Sequence, residues 1–261
     1  MTRQNYYDYE FSNTARYIEN VPCGVSQLAD DMYEAVYSLD DYIAVNGNIT
    51  EDDALIAIDL MRQKHPKIFY LEFANTETDE GRLTGIVLKY RYDVDRVPSM
   101  RADYERSVSE ALSWTSEEYS EIENAKTLHD YIVLHTAYGY HGDVAFGDDS
   151  HTAYACLVDN LAVCDGYAKA YTDLLSRIDI RSVVVTSESA NHAWNIAEID
   201  GKHYHVDTCW DDPIIIGTLR NKWATSGYVQ QTYFLKSDAY FDANRYGWWL
   251  SDIVCDDTSY D

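Results

Sequence analysis

Apolar residues change spacing from one segment of the chain to the next, and each spacing predicts an element. Residues 42–48 read as a short strand closed by a Gly-Asn turn. Between Asn48 and Lys64 the apolar positions Leu55, Ile58 and Met61 recur at helical spacing. Thr50 fits the N-cap there, Asp53 falls in the first turn, and His65-Pro66 ends the helix. Residues 67–73 and 83–92 are strand-like runs around a polar turn containing Gly81. Pro98 opens a helix that runs through Trp114. Thr115 and Glu118 have capping-box spacing, and Tyr119, Ile122, Ala125, Leu128 and Ile132 form one apolar stripe of a second helix ending near residue 136. Residues 138–152 are rich in glycine and aspartate and read as a loop. The pattern predicts an extended or poorly ordered lead-in over 1–19, a small α+β region over 20–114 and a larger α+β domain over 115–261.

The second half of the chain is patterned more sharply. In residues 161–175 a short apolar stretch turns into a helical pattern at Cys164, with Ala168, Tyr171, Leu174 and Leu175 facing a core. Gly166 in the first turn allows another backbone to approach closely. Residues 181–187 form a β-branched run, a buried strand. His192 to Ile199 and Lys202 to Trp210 flank Asp200-Gly201, a strong signal for a two-residue type I′ hairpin. Such a turn sets the register: residue 199 pairs with 202, 194 with 207, and 192 with 209. His192 and Asp207 then become diagonal neighbours on one face of the hairpin, within reach of a side-chain hydrogen bond.

Composition narrows the class of protein. With 46% hydrophobic and 25% charged residues the chain has a globular profile, and no apolar run approaches the length of a spanning helix. Its formal net charge is -25, divided as −10 over residues 1–115 and −15 over the rest, so the acid is not confined to a tail. A surface of that sign argues against nucleic-acid partners and anionic membranes and favours cationic substrates. The first 20 residues are polar and tyrosine-rich, without the basic-then-apolar pattern of a secretory signal. The 24 tyrosines are scattered and read as surface and packing residues rather than a stacking platform.

The five cysteines form no CxxC pair, and an odd number leaves at least one free thiol. Cys23, Cys156, Cys209 and Cys255 read as small buried hydrophobes. Cys164 is distinguished by its place at a helix start, where the dipole and unpaired amides are expected to lower a thiol pKa and to form an oxyanion hole. His192 is the candidate base and Asp207 the group that orients it. Trp194, expected opposite Asp207, is a candidate shield for their hydrogen bond, and Trp210 a candidate wall of the site. A competing reading uses the alternation of His203, His205, Asp207 and Cys209, with His192 nearby, as a zinc site. A strand spaces same-face residues about 7 Å apart, so only adjacent pairs in that row can share one ion.

The segments AVCDGYAKAY (162–171) and NHAWNIAEIDGKHYHVDTCWDDP (191–213) and, more weakly, YFLKSDAY (233–240) closely resemble the transglutaminase-like superfamily. AKTLHDYIVLHTAYGY (125–140) is similar to the helix before the core in its bacterial members. The resemblance covers about residues 115–240 and matches the Cys, His, Asp order of the family triad. It implies a papain-like fold, in which a helix bearing the cysteine packs on an antiparallel sheet bearing the histidine and aspartate. It also implies catalysis by Cys164, His192 and Asp207, an N-terminal extension of the kind seen in such proteins, and an extracellular or cell-surface bacterial setting. Tyr154 is the candidate oxyanion donor upstream of the cysteine, against a plainer reading as a packing tyrosine. No EF-hand-type loop is present, so the calcium dependence of animal crosslinking enzymes is not implied, and no cofactor is expected. The expected activity is amide cleavage through a thioester on a protein or peptide substrate, hydrolysis being favoured over amine crosslinking. The alternatives are a non-catalytic binding module of the same fold in cell-surface or division assembly, and the zinc-binding hairpin.

Overall fold

The structure, a computed structural model, describes residues 16–46, 48–80, 82–139, 148–212, 229–244 and 251–261. Most of the expected lead-in, the glycines Gly47 and Gly81 of two expected turns, and residues 140–147 of the expected loop lie outside these residues. The chain divides into two compact units, one of residues 18–103, the other containing Tyr17 and the residues from Tyr104 onward.

The first unit holds α1 (Cys23–Ser38), β1 (Tyr42–Ala44), α2 (Glu51–Lys64), β2 (Leu71–Asp79) and β3 (Arg82–Tyr90). Its strands form an antiparallel sheet in the order β1-β3-β2. The Thr50 side chain accepts the Asp53 amide, and the Asp53 carboxylate accepts the Thr50 amide, so α2 starts on a full capping box. Its buried face is Ala54, Ala57, Ile58, Leu60 and Met61; Leu55, expected there, is exposed. The strand expected over 67–73 instead starts at Leu71 and runs through the polar residues to Asp79, because the ladder with β3 satisfies that backbone whatever the side chains.

α3 (Val97–Leu112) is followed by α4 (Glu121–His135), β4 (Ala137–Tyr138), a 3₁₀ turn over Asp148–His151, α5 (Ala153–Leu157), β5 (Leu161–Ala162) and α6 (Cys164–Ser176). β6 (Arg181–Ser187), β7 (His192–Ile199), β8 (Lys202–Val206) and α7 (Asp238–Asn244) complete the second unit. The cap of α4 is Ser120 with Glu123, five residues beyond the Thr115/Glu118 pair. Tyr119 therefore precedes the helix and is exposed. Among the described residues no helix is long and apolar enough to cross a membrane.

β6, β7 and β8 form an antiparallel sheet in that order. Asp200 and Gly201 both have positive φ, 51° and 72°, as a type I′ turn requires, and Asn195 pairs with Val206 in the register the turn predicts. Asn195, on one face, donates its amide to Ala168 and Thr172 of α6 and so ties that helix to the sheet. On the other face Val183, Val185, Trp194 and Ile196 pack with Phe241, Ile253 and Cys255. Each large side chain sealed there contributes ~1.5–3 kcal/mol of apolar burial. α6 is anchored from its far side by Tyr171, whose hydroxyl donates to the Ala125 carbonyl of α4.

Candidate active site

Cys164 is the first residue of α6. The helix begins there because Val163 is extended and its amide is already taken by the Ser150 carbonyl, while Val163's own carbonyl accepts the Tyr167 amide. Gly166 makes this junction possible: a Cβ there would lie 2.6 Å from the Ser150 carbonyl oxygen. The backbone amides of Ala193, on β7, and Asp165 both face the Cys164 sulfur. The expected fall in its pKa is reversed: burial, reinforced by the neighbouring Asp165 carboxylate, pushes the thiol up to about 12, and the two amides recover only part of that shift.

His192 opens β7, one residue before the amide that faces the sulfur. Its Nε2 lies 2.8 Å from Asp207 Oδ2, with both side chains buried. Asp207 follows the last residue of β8, and its other oxygen accepts the Trp210 amide at 2.9 Å. The carboxylate is thus fixed by the turn that it caps, and it fixes in turn the proton on Nε2. Among the described residues nothing hydrogen-bonds His192 Nδ1, which leaves that nitrogen to exchange a proton with a thiol.

The two tryptophans occupy different places. Trp210 lies against the His192 ring at 5.1 Å and edge-on to Tyr233, a wall of the site. Trp194 is buried one step further along the hairpin; its indole donates to His205 Nδ1 at 2.9 Å, and its ring is 6.1 Å from that of His192. Regular pairing ends at Asn195 with Val206, so Trp194 has no ladder partner at Asp207 and turns towards His205, its own diagonal neighbour. Tyr154 is half-buried in α5, where Thr152 caps the helix.

The proposed zinc row is split. His192, Asp207 and Cys209 come together, whereas His205 joins Asp238 and Cys255 in a separate cluster. His203 stacks loosely on Tyr17, with ring centres 5.8 Å apart.

Several supporting residues escaped the sequence reading. Asp211 accepts the Tyr233 amide and lies 3.1 Å from His129 Nε2, while the Asp207 amide donates to the Tyr233 carbonyl. This ties α4, the turn after β8 and residue 233 together around Asp207. Burial opposes a charge on His129, but the hydrogen bonds to Asp130 and Asp211 outweigh it and hold its pKa above the ordinary value. A signal existed: His129 stands in the apolar stripe with Ala125, Leu128 and Ile132, where a polar residue needs a partner. Asp165 is the second case. His151 Nδ1 lies 2.8 Å from one of its oxygens and Lys169 Nζ 3.2 Å from the other. Burial opposes the Asp165 charge, yet the Lys169 ammonium and the hydrogen bond with His151 hold its pKa below the ordinary range, so a carboxylate stands beside the sulfur.

No protein-family model matches the chain, and no curated protein matches it. Among solved structures it is similar to a TGase, with 12% identity and a TM-score of 0.37 over 64% of this chain and 48% of the other. It is also similar to a "putative cysteine protease" from Cytophaga hutchinsonii, with 14% identity and a TM-score of 0.33 over 49% of this chain and 51% of the other. The chain spans about half the length of each. The second unit itself sets a helix that begins at a cysteine against an antiparallel sheet that carries the histidine, with the aspartate just past the end of the neighbouring strand.

Proposed function

We propose that the protein is a cysteine-dependent amide hydrolase, acting on peptide or glutamine amides through a thioester at Cys164. The observation that carries this reading is the buried 2.8 Å contact of His192 with Asp207, one residue from the amide that faces the Cys164 sulfur. Burial raises the Cys164 thiol, and the Nδ1 of His192, held by Asp207 through the other ring nitrogen, is the general base that takes its proton. As the sulfur attacks the carbonyl carbon, the thiol proton passes to Nδ1, and Asp207 supports the imidazolium that forms. The first-turn amides of α6 offer donors for the oxyanion. The imidazolium then protonates the leaving amine. Water, activated by the same nitrogen, cleaves the thioester and restores the thiol. The acidic chain favours basic peptides over acidic ones as substrates.

Incubation with glutamine-containing peptides, with and without a fluorescent alkylamine, tests the reaction class. Hydrolysis predicts cleaved or deamidated peptide at unchanged rate when the amine is added, and no product from Cys164→Ala. Amine incorporation as the main product would replace hydrolysis with crosslinking. The raised thiol favours one other reading, a binding module that keeps the fold without turnover. Failure of any amide, ester or electrophile to modify Cys164 ahead of the other thiols would select it.

A further inference from the structure

On the reading of Cys164 as nucleophile and His192 as base, we propose that Cys209 makes this site a trap for a thiophilic divalent cation, zinc above all, which switches the enzyme off. The Cys209 sulfur, a ring nitrogen of His192 and a carboxylate oxygen of Asp207 lie within 4.8 Å of one another, and all three residues are buried. Tetrahedral zinc holds sulfur at about 2.3 Å and nitrogen or oxygen at about 2.0–2.2 Å, which leaves its ligand atoms about 3.3–3.8 Å apart. To grip an ion the Nε2–Oδ2 pair, 2.8 Å apart, has to open by about half an ångström while the Cys209 sulfur closes in by at most about 1.5 Å. Thiolate and imidazole together select zinc over magnesium or calcium, and the Asp207 charge offsets that of the cation.

His192 is suited to the exchange. Zinc replaces the proton between Nε2 and Asp207, and the imidazole takes its remaining proton on Nδ1, which no described residue engages. The Cys209 thiol releases its proton to solvent as the sulfur–zinc bond forms, so one proton leaves for each ion bound. His192 now presents N–H rather than a lone pair to Cys164, and the base is lost. The neighbouring cluster of His205, Asp238 and Cys255 meets the same distance limit but lacks this freedom. His205 Nδ1 already accepts the Trp194 indole N–H, and Nε2 lies 2.9 Å from Asp238, so a shifted proton would face a donor.

Cobalt(II) titration of the purified chain in metal-free buffer, read by the thiolate charge-transfer band and followed by zinc competition, tests the site. One equivalent should bind with a thiolate band. Cys209→Ser should lose that band and weaken binding by at least about tenfold, while Cys255→Ser should behave as wild type. In the wild type, zinc should protect Cys209 but not Cys255 from alkylation, a readout that survives if a variant misfolds. Zinc should also slow Cys164 labelling by at least about tenfold, each variant being referred to its own metal-free rate. Absence of a band, a band that persists in Cys209→Ser, or one lost in Cys255→Ser overturns the site. Acylation of Cys164 without a cobalt band defeats the metal site alone. A cobalt band in a protein whose Cys164 accepts no acyl group overturns the inhibitory role and, separately, the enzymatic reading.

Discussion

The second unit contains two sets of cysteine, histidine and aspartate, and they differ in nearly everything except composition. Cys164, His192 and Asp207 lie where α6 begins, at the start of β7; Cys255, His205 and Asp238 lie in the packed face of the same sheet. His205 has both ring nitrogens engaged, by Trp194 and Asp238, and its ring is stacked on Phe241 at 4.3 Å. His192 spends one nitrogen on Asp207 and keeps the other for chemistry. The two contacts are successive diagonals of one hairpin, His192 to Asp207 and Trp194 to His205, so the same register builds both. A histidine–aspartate pair thus becomes a general base only when one nitrogen remains uncommitted beside a thiol. With both nitrogens committed, the same residue types form a polar brace in the core.

The two sets differ most at their thiols. Cys164→Ala should reduce acylation by an activated ester by at least about a thousandfold, whereas Cys255→Ala should leave the rate within about twofold and cost about 1–2 kcal/mol of stability from its cavity. Stopped-flow release of the ester's chromophore and thermal melts separate the two outcomes. At the next level, Asp207→Asn should cut acylation by about 10²–10⁴ by presenting the wrong tautomer. Asp238→Asn should instead lower stability by about 1–3 kcal/mol with acylation retained; equal kinetic losses in both would erase the distinction. Trp194→Phe leaves a buried acceptor on His205 and should cost about 1–3 kcal/mol in urea unfolding.

Alkaline pH gives a smaller and graded effect. Burial raises the thiols of both Cys164 and Cys255, Cys164 to about 12. A raised thiol contributes stability that is complete below its unfolded value near 8.5 and is lost as pH climbs through the folded value. Melting temperature should therefore fall above about pH 8.5. Each thiol should account for about 1 kcal/mol per pH unit, with Cys255→Ser and Cys164→Ala flattening the slope separately. The smallest change is expected from Asp165→Asn. Removing that carboxylate should lower the pH at which Cys164 becomes reactive to iodoacetamide, and an unchanged profile would show that burial acts alone.

What was legible in the sequence follows the range of the forces involved. Asp200-Gly201 is local turn chemistry, and it carried the register of β7 on β8 and with it the meeting of His192 and Asp207. The start of α6 at Cys164 was legible from the change in apolar spacing there, and the close approach that Gly166 allows is made by the Ser150 carbonyl. Position along a helix was harder. Thr115 with Glu118 and Ser120 with Glu123 have the same spacing, and the packing of Ala125, Leu128 and Ile132 decides between them. The Cys164 pKa was misjudged because the dipole can be read from the helix start, whereas the depth of burial depends on elements distant in sequence. The Trp194–His205 and His129–Asp211 contacts likewise depend on side-chain commitments that no single segment displays.

The most direct measurement is peptide mapping of the protein after brief exposure to p-nitrophenyl acetate at neutral pH in metal-free buffer. A single acetyl thioester on Cys164 is expected, absent from Cys164→Ala and slowed by about a hundredfold or more in His192→Ala. Acetylation spread equally over the cysteines, or a Cys164 rate indifferent to His192, would contradict the account.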